Sequence, residues 1–115
     1  MASKPTQRSL KALRDAGYSV CIVEKWLPAR GTMKFGIRID AFGFADLLAC
    51  KPETKEICLV QTTDHTSFSK HKIKILAIPE FYKWKESGGI VRLHGWAKRG
   101  PRGARKVWTL REEIL

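Results

Sequence analysis

Cysteine is scarce in this 115-residue chain, and its pattern excludes two kinds of scaffold. Cys21, Cys50 and Cys58 are odd in number, each stands in an apolar run, and none has metal-ligand spacing. Neither a disulfide framework nor a zinc ribbon follows from them, and all three are expected to be small buried hydrophobes. Long apolar runs are missing too, so no stretch approaches the roughly 18 residues needed to cross a bilayer. The first residues, Met1-Ala2-Ser3-Lys4-Pro5, lack the apolar segment of a secretion signal. The expected compartment is therefore the cytoplasm, that of a host cell if the chain is viral. There is no Gly-rich phosphate loop, no Ser/His/Asp order and no Cys nucleophile pattern. His65, His71 and His94 share no spacing that would make a metal site; His65 reads as an exposed loop residue.

Acidic residues are the most telling shortage. Eleven Asp and Glu face 22 Lys and Arg, a formal charge of +11 with a pI near 10.0. Such an excess repels itself in a compact state, which points to a polyanionic partner. Nucleic acid is favoured over a membrane, because no segment joins a basic face to a long lipid-facing one. Length and 43% hydrophobic content fit one domain over 1–115, with 1–4 as a frayed tail.

Periodicity gives the elements. Pro5 to Ala16 reads as a helix with Leu10, Leu13 and Ala16 on one face and Gly17 as its stop. Tyr18 to Trp26 reads as one strand ended by Pro28, and Ala29 to Gly36 as a hairpin connection or loop. Ile37 to Ala41 suggests a short strand broken by Phe42-Gly43. Phe44 to Cys50 and Glu56 to Thr63 form a hairpin across a Lys-Pro-Glu-Thr-Lys turn. Asp64 to Ala77 is helical with Thr66 or Asp64 as cap; Phe68, Lys72 and Ile75 line one side, and Ile73, Leu76 and Ala77 continue the apolar surface. A second helix opens at Pro79 and stops at Gly88-Gly89. Ile90 to Ala97 and Arg105 to Arg111 are strands around a loop at Lys98–Ala104. The order α-β-β-β-α-α-β-β implies an α/β fold with a mixed β-sheet flanked by helices.

One residue breaks packing logic. Asp46 lies within Phe44-Ala45-Asp46-Leu47-Leu48-Ala49-Cys50, where an unpartnered carboxylate costs several kcal/mol. Gln61 and Thr63 project together from the neighbouring strand, since residues two apart share a face. If the register sets Asp46 beside Gln61, a carboxylate and an amide oxygen converge in a way that suits a hard cation such as Mg²⁺. Asp40 is a candidate second carboxylate. Glu24 either faces this site or pairs with a surface cation, and the second is the expectation.

Gly17-Tyr18-Ser19-Val20, Ala45-Asp46-Leu47-Leu48-Ala49 and Ile57-Cys58-Leu59-Val60-Gln61-Thr62-Thr63 together resemble the core of the PD-(D/E)xK nuclease superfamily. The Holliday-junction-resolvase-like and VRR-NUC-like branch is the nearest in order and spacing over residues 7–75. The resemblance implies a restriction-endonuclease-like fold and phosphodiester hydrolysis assisted by Mg²⁺ or Mn²⁺. It also implies action on duplex or branched DNA, commonly by a homodimer. By position Asp46 matches the metal-binding Asp. Gln61 stands where the family has Glu, Thr63 where it has Lys, and Gln7 near another metal-binding Glu. Thr63 cannot supply the missing cation, for which Lys70, Lys72 and Lys74 are candidates and Lys72 is preferred. The implied catalytic set is Asp46, Gln61, Thr63 and Lys72, with Asp46, Gln61 and Asp40 as metal ligands.

Independently, Lys98, Arg99, Arg102, Arg105 and Lys106 crowd one turn without an acid. Gly and Pro hold such a turn open, and arginines there can grip phosphates bidentately. Trp96 and Trp108 flank it and are expected to pack beneath it. With Lys70, and with Ser67, His71, Lys72 and Lys74 on the preceding helix, this makes a candidate nucleic-acid surface. Two other readings stay open. One is a nuclease-fold binding module without activity; the other is an accessory or inhibitor protein that meets an acidic partner.

Overall fold

The computed structural model describes residues 4–32 and 34–115. A first helix, α1 (Lys4–Asp15), leads into β1 (Ser19–Ile22), β2 (Lys25–Leu27), β3 (Ile37–Ile39) and β4 (Leu47–Lys51). A 3₁₀ turn (Pro52–Thr54) joins β4 to β5 (Glu56–Asp64), followed by α2 (Phe68–Leu76) and α3 (Pro79–Glu86). The chain ends with β6 (Ile90–Arg99) and β7 (Val107–Ile114). The fold is mixed α/β: β1-β4-β5-β6-β7 make one sheet, antiparallel except for the parallel β5–β6 pair. The strands β2 and β3 pair with each other in a separate two-stranded arm. Of the expected tail 1–4, residues 1–3 lie outside the described ones and Lys4 already belongs to α1.

Alternation along the strands sorts side chains onto the two faces of the sheet. Leu47, Ala49, Cys58 and Val60 meet Leu13 of α1 on one side. Phe44, Ala45, Leu59, Val91 and Leu93 meet Phe68, Ile75 and Phe81 of α2 and α3 on the other. Each large side chain so buried contributes roughly 1.5–3 kcal/mol. The helix α1 ends as expected: Gly17 takes φ +96°, and the amide of Tyr18 donates to the Leu13 carbonyl (3.0 Å). Its buried face is Thr6, Ser9 and Leu13, more polar than the expected leucine stripe. The Trp96 indole donates to Ser9 Oγ (2.8 Å), which also hydrogen-bonds His94 Nδ1 (2.8 Å). The other ring nitrogen, His94 Nε2, hydrogen-bonds Glu112 Oε2 (2.6 Å). Arg92 binds Glu56 through two nitrogens (3.0 and 2.7 Å) and Glu112 through a third (2.9 Å).

Several expectations are corrected. The stretch Tyr18–Trp26 is not one strand. The Asp46 carbonyl accepts both the Val23 (2.9 Å) and Glu24 (3.4 Å) amides, a bulge that turns the chain off the sheet and into the arm. The strand expected from Phe44 begins only at Leu47. Phe42 (φ +54°) and Gly43 (φ +82°) form a tight turn, closed by the Phe44 amide on the Ala41 carbonyl (3.2 Å). Ile73 is 71% exposed, because α2 presents Phe68 and Ile75 to the sheet instead. The two helices also leave the β1–β4 part of their face uncovered, so Cys21 and Cys50 are exposed and only Cys58 is buried. The last strand runs Val107–Ile114, later than expected, because β6 extends to Arg99 before turning. No described helix is long and apolar enough to cross a membrane.

Candidate metal centre

Three turns of the backbone converge at one end of the sheet. The bulge delivers Glu24 at the start of the arm, and the arm returns the chain at Asp40. The tight turn then places Asp46 at the mouth of β4, where its amide donates to the Val60 carbonyl (2.8 Å). One oxygen from each of Glu24, Asp40 and Asp46 lies within 4.8 Å of the others. The Glu24 side chain is 5% exposed, that of Asp40 17%, and Asp46 is 2% exposed.

Asp46 uses its two oxygens differently. Oδ2 accepts from the Thr62 amide (2.8 Å), the Thr62 hydroxyl (3.0 Å) and Gln61 Nε2 (2.9 Å). Thr62 in turn accepts from Thr6 Oγ1 (2.8 Å), which ties the carboxylate to α1. Oδ1 has no hydrogen-bond partner, and neither do both Glu24 oxygens, Asp40 Oδ1 or Gln61 Oε1. All five are buried acceptors, the arrangement that packing ordinarily avoids unless a cation or proton sits among them. Arg38 is the nearest cation, yet its nitrogens stay 3.6 Å from Glu24 and 3.9 Å from Asp40. Burial pushes the Asp46 carboxyl up to about 7 against the Thr62 amide, which favours ionisation; a proton shared with Glu24 and the neighbouring Asp40 and Glu24 charges act in the same direction as burial. Oxygen donors of this kind suit a hard divalent ion.

The expected pairing of Asp46 with Gln61 is therefore present, and Asp40 joins it. The Gln61 contact runs through its nitrogen, which leaves the amide oxygen for another partner. Glu24 corrects the sequence reading: it does have a surface cation in Arg38, but its carboxylate is buried within the cluster. The signal lay in the pair Glu24 and Asp40 flanking Lys25–Ile39, visible only once those strands are recognised as one hairpin. Thr63 is buried opposite Gly95 and brings no charge. Lys72 also departs from expectation. Its ammonium sits 2.6 Å from Glu113 on β7, held at the far side of the sheet from β4. Lys70 and Lys74 are exposed on α2, and Gln7 is exposed on α1 beside Thr6. Desolvation, aided by Lys74, lowers the pKa of His71, so that imidazole is neutral at pH 7.

Because β5 and β6 run parallel, their C-terminal ends lie together at this same end of the sheet. The strand β6 continues past it to Lys98 and Arg99, and the turn beyond carries Arg102, Arg105 and Lys106, all exposed. Arg99 Nη2 lies 2.6 Å from His65 Nδ1, which fastens the hairpin to the loop after β5. The two tryptophans part company. Trp96 is buried, whereas Trp108 is 46% exposed and stacks with Arg8 at 3.4 Å from its ring centroid. Comparison with protein-family models, curated proteins and solved structures finds no match for the chain.

Proposed function

We propose that this protein is a divalent-metal-dependent nuclease of the PD-(D/E)xK kind that acts on DNA. The observation that carries the reading is the set of five buried oxygens without a hydrogen bond on Glu24, Asp40, Asp46 and Gln61, beside a basic hairpin. The sheet is in keeping with it: a mixed sheet packed between α1 on one face and α2 and α3 on the other. Asp46, Glu24, Asp40 and Gln61 Oε1 would hold Mg²⁺ or Mn²⁺. When bound, such an ion polarises the scissile phosphate and lowers the pKa of an attacking water. Thr62 and Gln61 Nε2 keep Asp46 aimed by saturating its other oxygen. Lys98, Arg99, Arg102, Arg105, Lys106 and Lys70 would follow phosphates on either side of the cut. Pairing of two copies belongs to this reading, and the apolar groove of about 390 Å³ beside the free edge of β1 suits it.

A second reading, a binding module without activity, is favoured by the same Thr63 and Lys72: no lysine stands at the family position, and its preferred substitute is turned to Glu113. One experiment separates the two. Labelled duplex, branched and single-stranded DNA are incubated at pH 8 with Mg²⁺, Mn²⁺ or EDTA. The nuclease reading requires metal-dependent cutting that Asp46→Ala abolishes. Tight DNA binding without cutting in either metal establishes the module instead.

A further inference from the structure

The β2–β3 arm leaves the sheet at the acid cluster and carries its own chemistry. Between residues 25 and 39 stand Lys25, Arg30, Lys34 and Arg38, and no acid. Trp26 is 61% exposed and Phe35 78%, an unusual display for a ribbon of two short strands. The indole of Trp26 lies so close to Gly36 that a Cβ there would come within 2.5 Å of the ring, so the glycine is what lets the indole approach the backbone.

Register aligns these groups. Trp26 pairs with Arg38 across the arm, and residues two apart share a face, so Glu24, Trp26, Arg38 and Asp40 project to one side. Carboxylates, guanidinium and indole thus follow one another from the metal centre outward. Four cations without an acid suit a polyanion, and the exposed indole suits one whose bases are unstacked, whereas a duplex would hide its base faces from the ring. An unpaired strand satisfies both features: phosphates for the cations and a π-face for the ring.

We propose that the β2–β3 arm binds a single-stranded segment of nucleic acid, with a base stacked on Trp26 and adjacent phosphates on Arg38, Arg30 and Lys34. This deepens the nuclease reading by naming the substrate class as nucleic acid with an unpaired stretch next to the cut. The test is fluorescence anisotropy with labelled oligo-dT and a matched duplex, in EDTA so that no cutting intervenes. Trp26→Ala should weaken oligo-dT binding roughly tenfold while changing duplex binding less than twofold, and Trp26→Phe should restore most of the loss. Arg30→Ala with Lys34→Ala should flatten the salt dependence of oligo-dT binding by about 0.7 per cation removed. Equal losses for strand and duplex, or no loss for Trp26→Ala, overturn the proposal. If Trp26→Ala does not fold, quenching of Trp26 fluorescence by oligo-dT, read as wild type minus Trp26→Phe, decides the matter; absence of quenching refutes it. Binding without cutting in Mn²⁺ would sink the nuclease reading alone.

Discussion

Asp46→Asn should make the metal-free protein more stable at pH 8, against the usual cost of altering a buried polar residue. Ordinary carboxyl pKa for Asp is 3.8 and that of Asp46 is pushed up to about 7. Between those values the unfolded chain has released a proton that the folded chain retains. Stability contributed by this group is therefore complete below pH 4 and is lost as pH rises to about 7. At 1.36 kcal/mol per unit, the loss is on the order of 4 kcal/mol, less whatever the cluster recovers by admitting water. An asparagine keeps what Asp46 Oδ2 does, since its carbonyl accepts from Thr62 and Gln61, and its amide can donate to Glu24 where Oδ1 cannot. We expect a gain of about 1–3 kcal/mol in EDTA at pH 8, seen as a rise of roughly 3–15 °C in thermal midpoint for a domain of this size. At pH 4 the gain should vanish. Saturating Mn²⁺ should reverse the order, because an ion at about 1,000 times its Kd stabilises the wild type by about 4.1 kcal/mol and the variant scarcely at all. Thermal melts at pH 4, 6 and 8, with EDTA and with Mn²⁺, give all the comparisons. A variant less stable than wild type in EDTA at pH 8 would refute the claim that the cluster is held under charge repulsion.

Other outcomes follow from the packing. Arg92→Met leaves Glu56 buried and unpaired, which should cost about 3–5 kcal/mol by urea unfolding. Gly95→Ala puts a Cβ within 2.6 Å of the Phe68 ring and should cost about 1–3 kcal/mol, with α2 the first element to lose hydrogen-exchange protection. Joint replacement of Arg102 and Arg105 by Gln should reduce the salt slope of duplex binding by about 2, with little change in thermal midpoint.

Groups brought together by one hairpin announced themselves in the sequence, and groups gathered from distant segments did not. The hairpin of β4 and β5 was legible from two apolar runs across a turn, and the lone acid in the first run marked Asp46; its place beside Gln61 waited on the register. Glu24 was hidden for a physical reason. Val20, Ile22 and Trp26 alternate as one strand would, and no pattern in side chains marks a bulge made by a single carbonyl accepting two amides. The buried polar row of Ser9, His94 and Glu112 was hidden likewise, since its members come from α1, β6 and β7 and meet only in space. Lys72 shows the opposite limit: helical spacing placed it on the inward side of α2, but which strand it reached depended on Glu113, 41 residues away.

On the proposed reading, the cluster and the two basic hairpins pull a phosphate in opposite directions, and that tension gives the order of events. Three neighbouring carboxylates repel a nucleic-acid backbone at short range, whereas the cations of both hairpins attract it over a Debye length of about 8 Å. Without a divalent ion, the backbone is held by the hairpins and kept off Asp46. With one, most of the negative charge at the centre is neutralised and the scissile phosphate can approach the ion. DNA affinity of the wild type should therefore rise severalfold on adding Ca²⁺, a hard cation used here to bind without supporting hydrolysis. That of Asp46→Asn, whose cluster already lacks one charge, should start higher and rise less. A wild type whose affinity is indifferent to Ca²⁺ would mean that the nucleic acid lies on the hairpins without reaching the acids at all.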